Sequence, residues 1–195
     1  MTASQLGIYV WAIGVVAWFV IRYPYARKAR RTQTVRSHGW SRERILLAVA
    51  TLGLVVAPVV WLTTGWPDTL NYELSYAAVV VGAAVYLLSL WLFRRSHKDL
   101  GRQWSASLEI RESHRIVRDG VYRRIRHPMY ASFWLWALAQ ALLLPNTMAA
   151  MSGMVAIGIL FFTRIDFEER MLLEAFGEDY RTYMRETNRI IPGIY

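Results

Sequence analysis

Four strongly apolar stretches limit what this chain can fold into more than any other feature of its sequence. They cover residues 6–21, 45–66, 74–93 and 128–163, and none of them contains Asp, Glu, Lys or Arg. A helix needs about 20 apolar residues to cross the roughly 30 Å of hydrocarbon in a bilayer. Helices satisfy their own backbone groups, which lipid cannot do. The sequence therefore predicts an all-α, polytopic membrane protein.

The overall composition agrees with a membrane protein and excludes several other classes. Hydrophobic residues make up 55% of the 195 residues and charged residues only 19%, whereas soluble domains average about 45–50% and about a quarter. The same values exclude disorder. The chain has no Cys, which excludes disulfides, thiolate metal sites and cysteine nucleophiles.

The net charge of +9 is interpreted as cationic loops beside an anionic membrane face. Nucleic acid is the other common partner of a basic chain. However, we find no RNA-binding signature, zinc-finger spacing or helix-turn-helix pattern. Nucleic-acid binding is therefore not expected.

The last apolar stretch is too long for one ordinary span. The pair Pro145-Asn146 is a typical turn sequence and divides it. We predict two short helices, over 130–144 and 147–163, that form a hairpin and bring the total to five transmembrane helices. A single tilted helix with a re-entrant segment is the alternative. Gln140 is interpreted as a hydrogen-bonding residue between helices.

The distribution of charge predicts the orientation in the membrane. Segments 22–44 and 94–126 are rich in Arg, whereas the loop 67–73 contains Asp68 and Glu73 and no basic residue. Because Lys and Arg accumulate in cytoplasmic loops, we expect the N-terminus outside and the C-terminus in the cytoplasm.

The chain divides into two parts on this basis. Residues 1–93 contain three predicted spans and a basic cytoplasmic loop. Residues 94–195 contain a cytoplasmic loop, the helical hairpin and a C-terminal cytoplasmic helix. All candidate chemistry lies in this second part, which we predict to be the catalytic half. Gly177 is a natural end for the helix that continues the fifth span, and Pro58 is a candidate kink in the second span.

The loop entering the fourth helix is the first candidate site. A proline after His127 disfavours the α conformation there, and Pro128 suits the first turn of a helix. The backbone N–H groups exposed at such a helix start suit a carboxylate or a phosphate. An ordinary basic membrane flank is the alternative interpretation for Arg123, Arg124 and Arg126.

Arg164 and Glu168 form the second candidate site. They are four residues apart, so they share a helix face and can pair. Arg164 is the first charged residue after the long apolar stretch, and ionisable groups at membrane depth are candidates for function. A snorkelling arginine with an incidental partner, contributing about 0.3–0.5 kcal/mol, is the alternative.

Motifs of metal and nucleotide sites are absent from the sequence. His38, His97 and His114 do not form a ligand pattern, and no HExxH motif occurs, so no metal site is expected. The chain also lacks GxGxxG, P-loop and GxSxG motifs.

The motifs of the second part resemble those of the isoprenylcysteine carboxyl methyltransferases and the related phospholipid methyltransferases. The first motifs are His114-Arg115-Ile116-Val117, Gly120-Val121-Tyr122 and Arg126-His127-Pro128-Met129-Tyr130. The later ones are Arg164, Glu168-Glu169 and Phe176-Gly177-Glu178-Asp179-Tyr180. They occur in the family's order and cover roughly residues 95–193. The predicted five spans are similar to those of the short prokaryotic members.

The resemblance implies S-adenosylmethionine as the cofactor and assigns roles by position. Arg164 and Glu168 match the family's essential arginine and glutamate, with the arginine beside the substrate carboxylate and the glutamate beside the cofactor. The residues implied to bind the cofactor are His114, Arg115, Ile116, Val117, Tyr122, His127, Pro128, Met129, Tyr130 and Glu168. The eukaryotic enzymes differ in having more spans and an unbroken acidic run where this chain has Asp166-Phe167-Glu168-Glu169.

The chemistry of methyl transfer is compatible with these residues. A carboxylate acceptor is already ionised at pH 7 and needs only a cation such as Arg164 to hold it. An amine acceptor would need a base, for which Glu168 or His127 are the candidates. We therefore expect an integral-membrane methyltransferase, active on its cytoplasmic face, that methylates the carboxylate of an isoprenylcysteine-like lipophilic acceptor and releases S-adenosylhomocysteine. A lipid-amine methyltransferase and a small transporter or scaffold are the alternatives.

Overall fold

The computed structural model describes residues 1–29, 40–101 and 116–195. The regular secondary structure in these ranges is helical, with two isolated β-bridges, Asn71–Asn146 and Ile125–Asn188. The predicted all-α class is therefore confirmed for this part of the chain. The predictions about His38, His114 and Arg115 lie outside the described residues.

Seven α-helices occur within the described ranges. They are α1 (Ala3–Ala29), α2 (Trp40–Thr51), α3 (Ala57–Thr64), α4 (Tyr76–Leu100), α5 (Pro128–Leu143), α6 (Thr147–Phe176) and α7 (Glu178–Glu186). A π-helical turn, Leu52–Val56, joins α2 to α3 without interruption, and short 3-10 turns cover Asp68–Leu70 and Gly120–Arg123.

Four helical segments of the described residues are long and apolar enough to cross a membrane. These candidate spans are Ala3–Arg27, Glu43–Thr64, Tyr76–Leu100 and Thr147–Phe176. The remaining predicted span, the fourth along the chain, corresponds to α5, which has only 16 residues. The structure therefore has four helices of full span length and one short apolar helix packed among them.

The turn between α5 and α6 occurs where Pro145-Asn146 predicts it. Asn146 caps α6 by accepting a hydrogen bond from the Ala149 amide at 3.0 Å. Its side-chain amide also donates to the Pro67 carbonyl at 2.8 Å, and the Tyr72 amide donates to the Pro145 carbonyl at 3.0 Å. A buried turn needs such partners for its backbone groups, and the loop before α4 supplies them.

The second span deviates from an α-helix one turn before the predicted kink at Pro58. Gly53, in the π-helical turn, approaches α6 so closely that a Cβ there would lie 2.3 Å from Ala156 Cβ. Its carbonyl accepts hydrogen bonds from Gln140 Nε2 at 3.0 Å and from Ser152 Oγ at 2.7 Å. The fully buried Gln140 thus connects α5 to the second span and to α6, as expected for a polar residue between membrane helices.

Helix α5 occupies the centre of the bundle and positions the site. It packs mainly against α4 and α6 and also contacts α1. Ala137, Ala139 and Leu143 on α5 have no exposed surface. Because α5 is fixed on these sides, its first turn is held in place against the part of α6 that follows the apolar stretch.

Candidate active site

Arg164 on α6 lies at the centre of a buried cluster of charged side chains. Its Nη2 is 3.1 Å from Glu43 Oε1, and its Nε is 3.7 Å from Glu168 Oε2. The Arg164 side chain is only 14% exposed, and its buried Nε makes no hydrogen bond with the described residues. The pair with Glu168 predicted from spacing is therefore present. The snorkelling interpretation is wrong, because the guanidinium points into the protein.

Glu43 was missed by the sequence analysis. It lies in the first turn of α2 and its side chain is 9% exposed, facing Arg164. A signal for it exists in the sequence, because Glu43 is the only acidic residue between positions 22 and 44. A lone acid beside a predicted span is costly at membrane depth without a cationic partner.

Glu168 faces the first turn of α5. The Tyr130 hydroxyl donates a hydrogen bond to Glu168 Oε2 at 2.9 Å, and His127 Nδ1 lies 3.8 Å from Glu168 Oε1. His127 precedes the helix with φ −124° and ψ 58°, and Pro128 occupies the first helical position. The conformation predicted from the His-Pro sequence is thus confirmed, and it directs the imidazole toward the two glutamates.

Glu169, which is itself buried, is the centre of a second network beside the first. Its side chain is 4% exposed and contacts three cations or potential cations: Arg126 Nε at 3.1 Å, His127 Nε2 at 3.3 Å and Arg189 Nη2 at 2.8 Å. Burial lowers the pKa of the Arg189 guanidinium, but hydrogen bonds to Tyr195 and Glu169 outweigh this and raise its pKa above the usual value. His127 therefore links Glu168 and Glu169 through its two ring nitrogens.

The C-terminal segment holds the loop that carries these residues. The Arg126 amide donates to the Asn188 carbonyl at 2.8 Å, and the His127 amide donates to the Arg189 carbonyl at 2.9 Å. The Arg126 side chain also donates to the backbone carbonyls of Met184 and Thr187. These contacts were not predictable from the loop alone, because they join segments about 60 residues apart in sequence.

Tyr122 lies beside the cluster, packed against α7. Its carbonyl accepts a hydrogen bond from the Tyr183 hydroxyl at 2.6 Å, and burial raises the pKa of its phenol. Gly120 has φ +62°, and a Cβ there would lie 2.0 Å from Asp99 Oδ2. That oxygen accepts a hydrogen bond from the Val121 amide at 3.0 Å. Only glycine can adopt this positive φ and also leave room for the Asp99 carboxylate. The turn therefore fixes the loop to the end of α4.

The structure thus brings together part of the predicted site. Arg164, Glu168, Tyr130 and His127 form one cluster, which the structure extends by Glu43 and Glu169. Pro128 is buried at the start of α5, and Met129 next to it is half-buried. Ile116 and Val117 are half-buried at the beginning of a described range.

The fold and the cluster define a polytopic helical membrane protein with a buried arginine–carboxylate site at one end of the bundle. Residues 80–174 match the sequence model of the isoprenylcysteine carboxyl methyltransferase (ICMT) family. This segment contains the first turn of α5 as well as Arg164 and Glu168. Over this segment, which is just under half of its length, the chain is similar to the ICMT family.

Individual relatives agree with the family match. Protein-S-isoprenylcysteine O-methyltransferase B of Arabidopsis thaliana is 33% identical over 115 residues, which cover 58% of each chain. The protein-S-isoprenylcysteine O-methyltransferase of Schizosaccharomyces pombe is 35% identical over 83 residues, covering 43% of this chain and 35% of the relative. The chain therefore spans less than two thirds of the length of these relatives.

A solved structure shares the fold over nearly the whole chain. The eukaryotic intramembrane Ras methyltransferase ICMT superposes with a TM-score of 0.61 and 21% sequence identity, covering 97% of this chain and 68% of that one. The helices before residue 80, which lie outside the family segment, are thus part of the same architecture.

Proposed function

We propose that this protein is an integral-membrane methyltransferase that transfers methyl from S-adenosylmethionine to the carboxylate of a lipophilic, isoprenylcysteine-like acceptor. The observation that carries the proposal is the buried Arg164, which retains an Nε–H without a hydrogen bond to the described residues. A buried, unsatisfied donor on a cation is costly. An incoming carboxylate would satisfy it.

The neighbours of Arg164 determine how it would hold an acceptor. Glu43 and Glu168 already share its charge, at 3.1 Å and 3.7 Å. An acceptor carboxylate would therefore be oriented by Arg164 without being fully neutralised, and it would keep its nucleophilicity. It is ionised at pH 7, given an ordinary pKa near 4. The carboxylate oxygen can then form the new bond to carbon without a general base.

The residues around Glu168 fit a cationic cofactor. S-adenosylmethionine supplies an activated methyl group together with its own leaving group, so positioning is the main requirement. Glu168 offers a carboxylate held by Tyr130 and His127, and its side chain is 21% exposed, more than that of Glu169. The backbone amides in the first turn of α5 suit the carboxylate of the cofactor. The proposal also includes cofactor binding by Tyr122, Ile116 and Val117.

We propose five membrane crossings, with α5 as the fourth, the N-terminus outside, and the C-terminus and active site on the cytoplasmic side. The hydrogen bonds between the α5–α6 turn and the loop 67–72 support a crossing by α5, because they place its end beside the start of α4. Its beginning follows a turn that Asp99 binds at the opposite end of α4. The arginine distribution supports the orientation.

Ligand binding and methyl transfer test the proposal separately. Calorimetry with S-adenosylhomocysteine should give saturable binding to the purified protein in detergent or lipid. Labelled methyl should then transfer from the cofactor to S-farnesylcysteine analogues that carry a free carboxylate. The carboxamide analogue is the matched control and should accept none. Absence of binding in detergent and in lipid would contradict the proposal and favour a transporter or scaffold.

A lipid amine is the second candidate acceptor. The position of His127 next to Glu168 favours it, because imidazole is the commonest general base and this one lies beside the candidate site. Transfer of labelled methyl to ethanolamine lipids, with none to the prenylcysteine analogue, would show that the acceptor is an amine and not a carboxylate. The assignment of the cofactor would be unchanged.

A further inference from the structure

A large apolar groove follows the outer face of α5, between α4 and α6. Its volume is about 1090 Å³, slightly above the usual range of about 300–1,000 Å³ for ligand pockets. The floor is formed by Ala131, Leu135 and Leu138, which are spaced to share one face of α5. Neither Arg164 nor Glu168 lines it. The groove is therefore separate from the candidate active site.

The walls of this groove are exposed apolar side chains of membrane-spanning helices. On α4, Leu88 is 49% exposed and Trp91 is 57% exposed, and Leu138 of α5 is 42% exposed. Both α4 and α6, which contributes Met154, are candidate membrane spans. Because such surface faces hydrocarbon in a bilayer, the groove opens sideways to lipid chains.

One end of the groove is strongly cationic. Arg95, at the end of α4, and Arg123 and Arg124, in the turn before α5, line it, and the described residues contribute no acid to its lining. Arg95 is paired with Asp99 at 3.2 Å. Arg123 and Arg124 are exposed, and no hydrogen bond or ion pair to their side chains occurs among residues 1–29, 40–101 and 116–195.

We propose that the groove binds an anionic phospholipid of the adjacent leaflet. Its acyl chains would lie along α5 between α4 and α6, and its phosphate would contact Arg123 and Arg124. Guanidinium groups form strong, charge-assisted hydrogen bonds to phosphate, and the lipid-facing groove accepts chains without exposing apolar surface to water. A second copy of this chain is disfavoured as the occupant, because a twofold contact would bring two cationic groove ends into one interface, and the described groove lining has no acid to neutralise them.

Native mass spectrometry of the full chain in detergent tests the headgroup contact. The probes are phosphatidylglycerol and phosphatidylcholine with identical acyl chains, offered together. The wild type should retain phosphatidylglycerol preferentially. Since a basic residue near an anionic surface contributes about fivefold in binding, Arg123→Gln with Arg124→Gln should reduce this preference by about fivefold to 30-fold.

A matched control separates a specific site from general charge. Arg181 and Arg185 are also exposed, and they pair with Glu178 on α7, away from the groove. Arg181→Gln with Arg185→Gln removes the same charge and should leave the preference unchanged. An equal loss in both double variants, or none in the first, would overturn the proposal. Unchanged thermal unfolding of each variant verifies that it is folded.

A groove-filling variant tests whether the acyl chains of the lipid occupy the groove, independently of the headgroup contact. Leu135→Trp should reduce retention of both lipids by displacing the acyl chains, without altering the ratio set by the arginines. Undiminished retention in folded Leu135→Trp would contradict the proposed location. A protein dimer that forms in the wild type and is lost in Leu135→Trp would show that a second copy occupies the groove, and would also overturn the proposal.

Discussion

Arg164 carries a buried positive charge that is shared by two carboxylates from different helices. Glu43 approaches from α2 and Glu168 from the next turn of α6. The guanidinium therefore forms ion pairs with both glutamates and is not fully neutralised by either one alone. The Nε–H of Arg164 has no hydrogen-bond partner among the described residues, so it is a donor that a ligand could use.

Replacing Arg164 should separate acceptor binding from cofactor binding. Arg164→Ala removes the proposed carboxylate ligand, so we expect methyl transfer to fall by roughly 10²-fold or more, with S-adenosylhomocysteine affinity within a few-fold of wild type. The exposed Arg170 on the same helix offers a control, and Arg170→Ala should be active. Calorimetry and label transfer measure the two effects. Wild-type turnover in Arg164→Ala would remove this residue from the site.

Glu43 is proposed as a positioning residue that also moderates the charge of Arg164. In Glu43→Gln, Arg164 should hold the acceptor carboxylate more tightly and reduce its nucleophilicity. We therefore expect kcat and the KM for the acceptor to fall together, each by about tenfold, as when ground-state binding is strengthened without a gain in the transition state. Steady-state kinetics with varied acceptor measure this. A rise in KM with unchanged kcat would contradict the moderating role.

At the level of the helices, several features follow directly from sequence patterns. Pro145-Asn146 predicts the break between α5 and α6, and Gly177, with φ +56°, ends α6 as predicted. His127-Pro128 predicts the start of α5. These features are local, because they depend on the conformations that Pro, Gly and Asn favour or exclude.

Other features depend on contacts between distant segments and could not be read from the sequence. The π-helical turn at Gly53 arises where the Gln140 side chain donates to its carbonyl. The site residues Glu43 and Glu169 likewise acquire their roles only when the helices pack, the first against Arg164 and the second against the C-terminal segment. Nothing in their sequence neighbourhood specifies these partners.

The turn at Gly120 gives a prediction about stability that has an internal control. Gly120 and Gly101 both have positive φ, +62° and +55°, but a Cβ at Gly101 would meet no atom of the described residues within 4 Å. Gly101→Ala should therefore introduce backbone strain alone, about 1–3 kcal/mol. Gly120→Ala adds a clash with Asp99, so its thermal unfolding midpoint in detergent should be lower than that of Gly101→Ala. Equal midpoints would show that Asp99 moves away at no cost.

For the molecule as a whole, the arrangement provides separate approaches for two dissimilar ligands. The candidate site lies where α5 begins, next to the polar segments that contain Arg126 and Arg189. The helices that surround it expose apolar side chains over the rest of their length. If the proposed function is correct, the polar cofactor can reach these residues from the aqueous phase and the lipophilic acceptor can reach them from the bilayer, without either entering the other's phase.

The membrane topology decides whether the candidate site faces the cytoplasm. This topology depends on whether α5 crosses the membrane. With 16 residues, α5 is about 24 Å long, less than the usual hydrocarbon thickness, but local thinning of the bilayer tolerates such a mismatch at modest cost. If α5 crosses, the turn before α6 lies on the same side as the loop 67–73, and α7 lies on the opposite side. Without this crossing, the turn and α7 exchange sides.

Single cysteines distinguish the two topologies, because the chain has no Cys of its own. The exposed positions Thr69, Thr147 and Arg181 report on the loop, the turn and α7. With a membrane-impermeant maleimide, Thr69→Cys and Thr147→Cys should be labelled in intact cells, and Arg181→Cys only after permeabilisation. Labelling of Arg181→Cys but not Thr147→Cys in intact cells would mean that α5 does not cross. Labelling of Thr69→Cys only after permeabilisation would reverse the orientation and place the site outside, where a cytosolic methyl donor could not reach it.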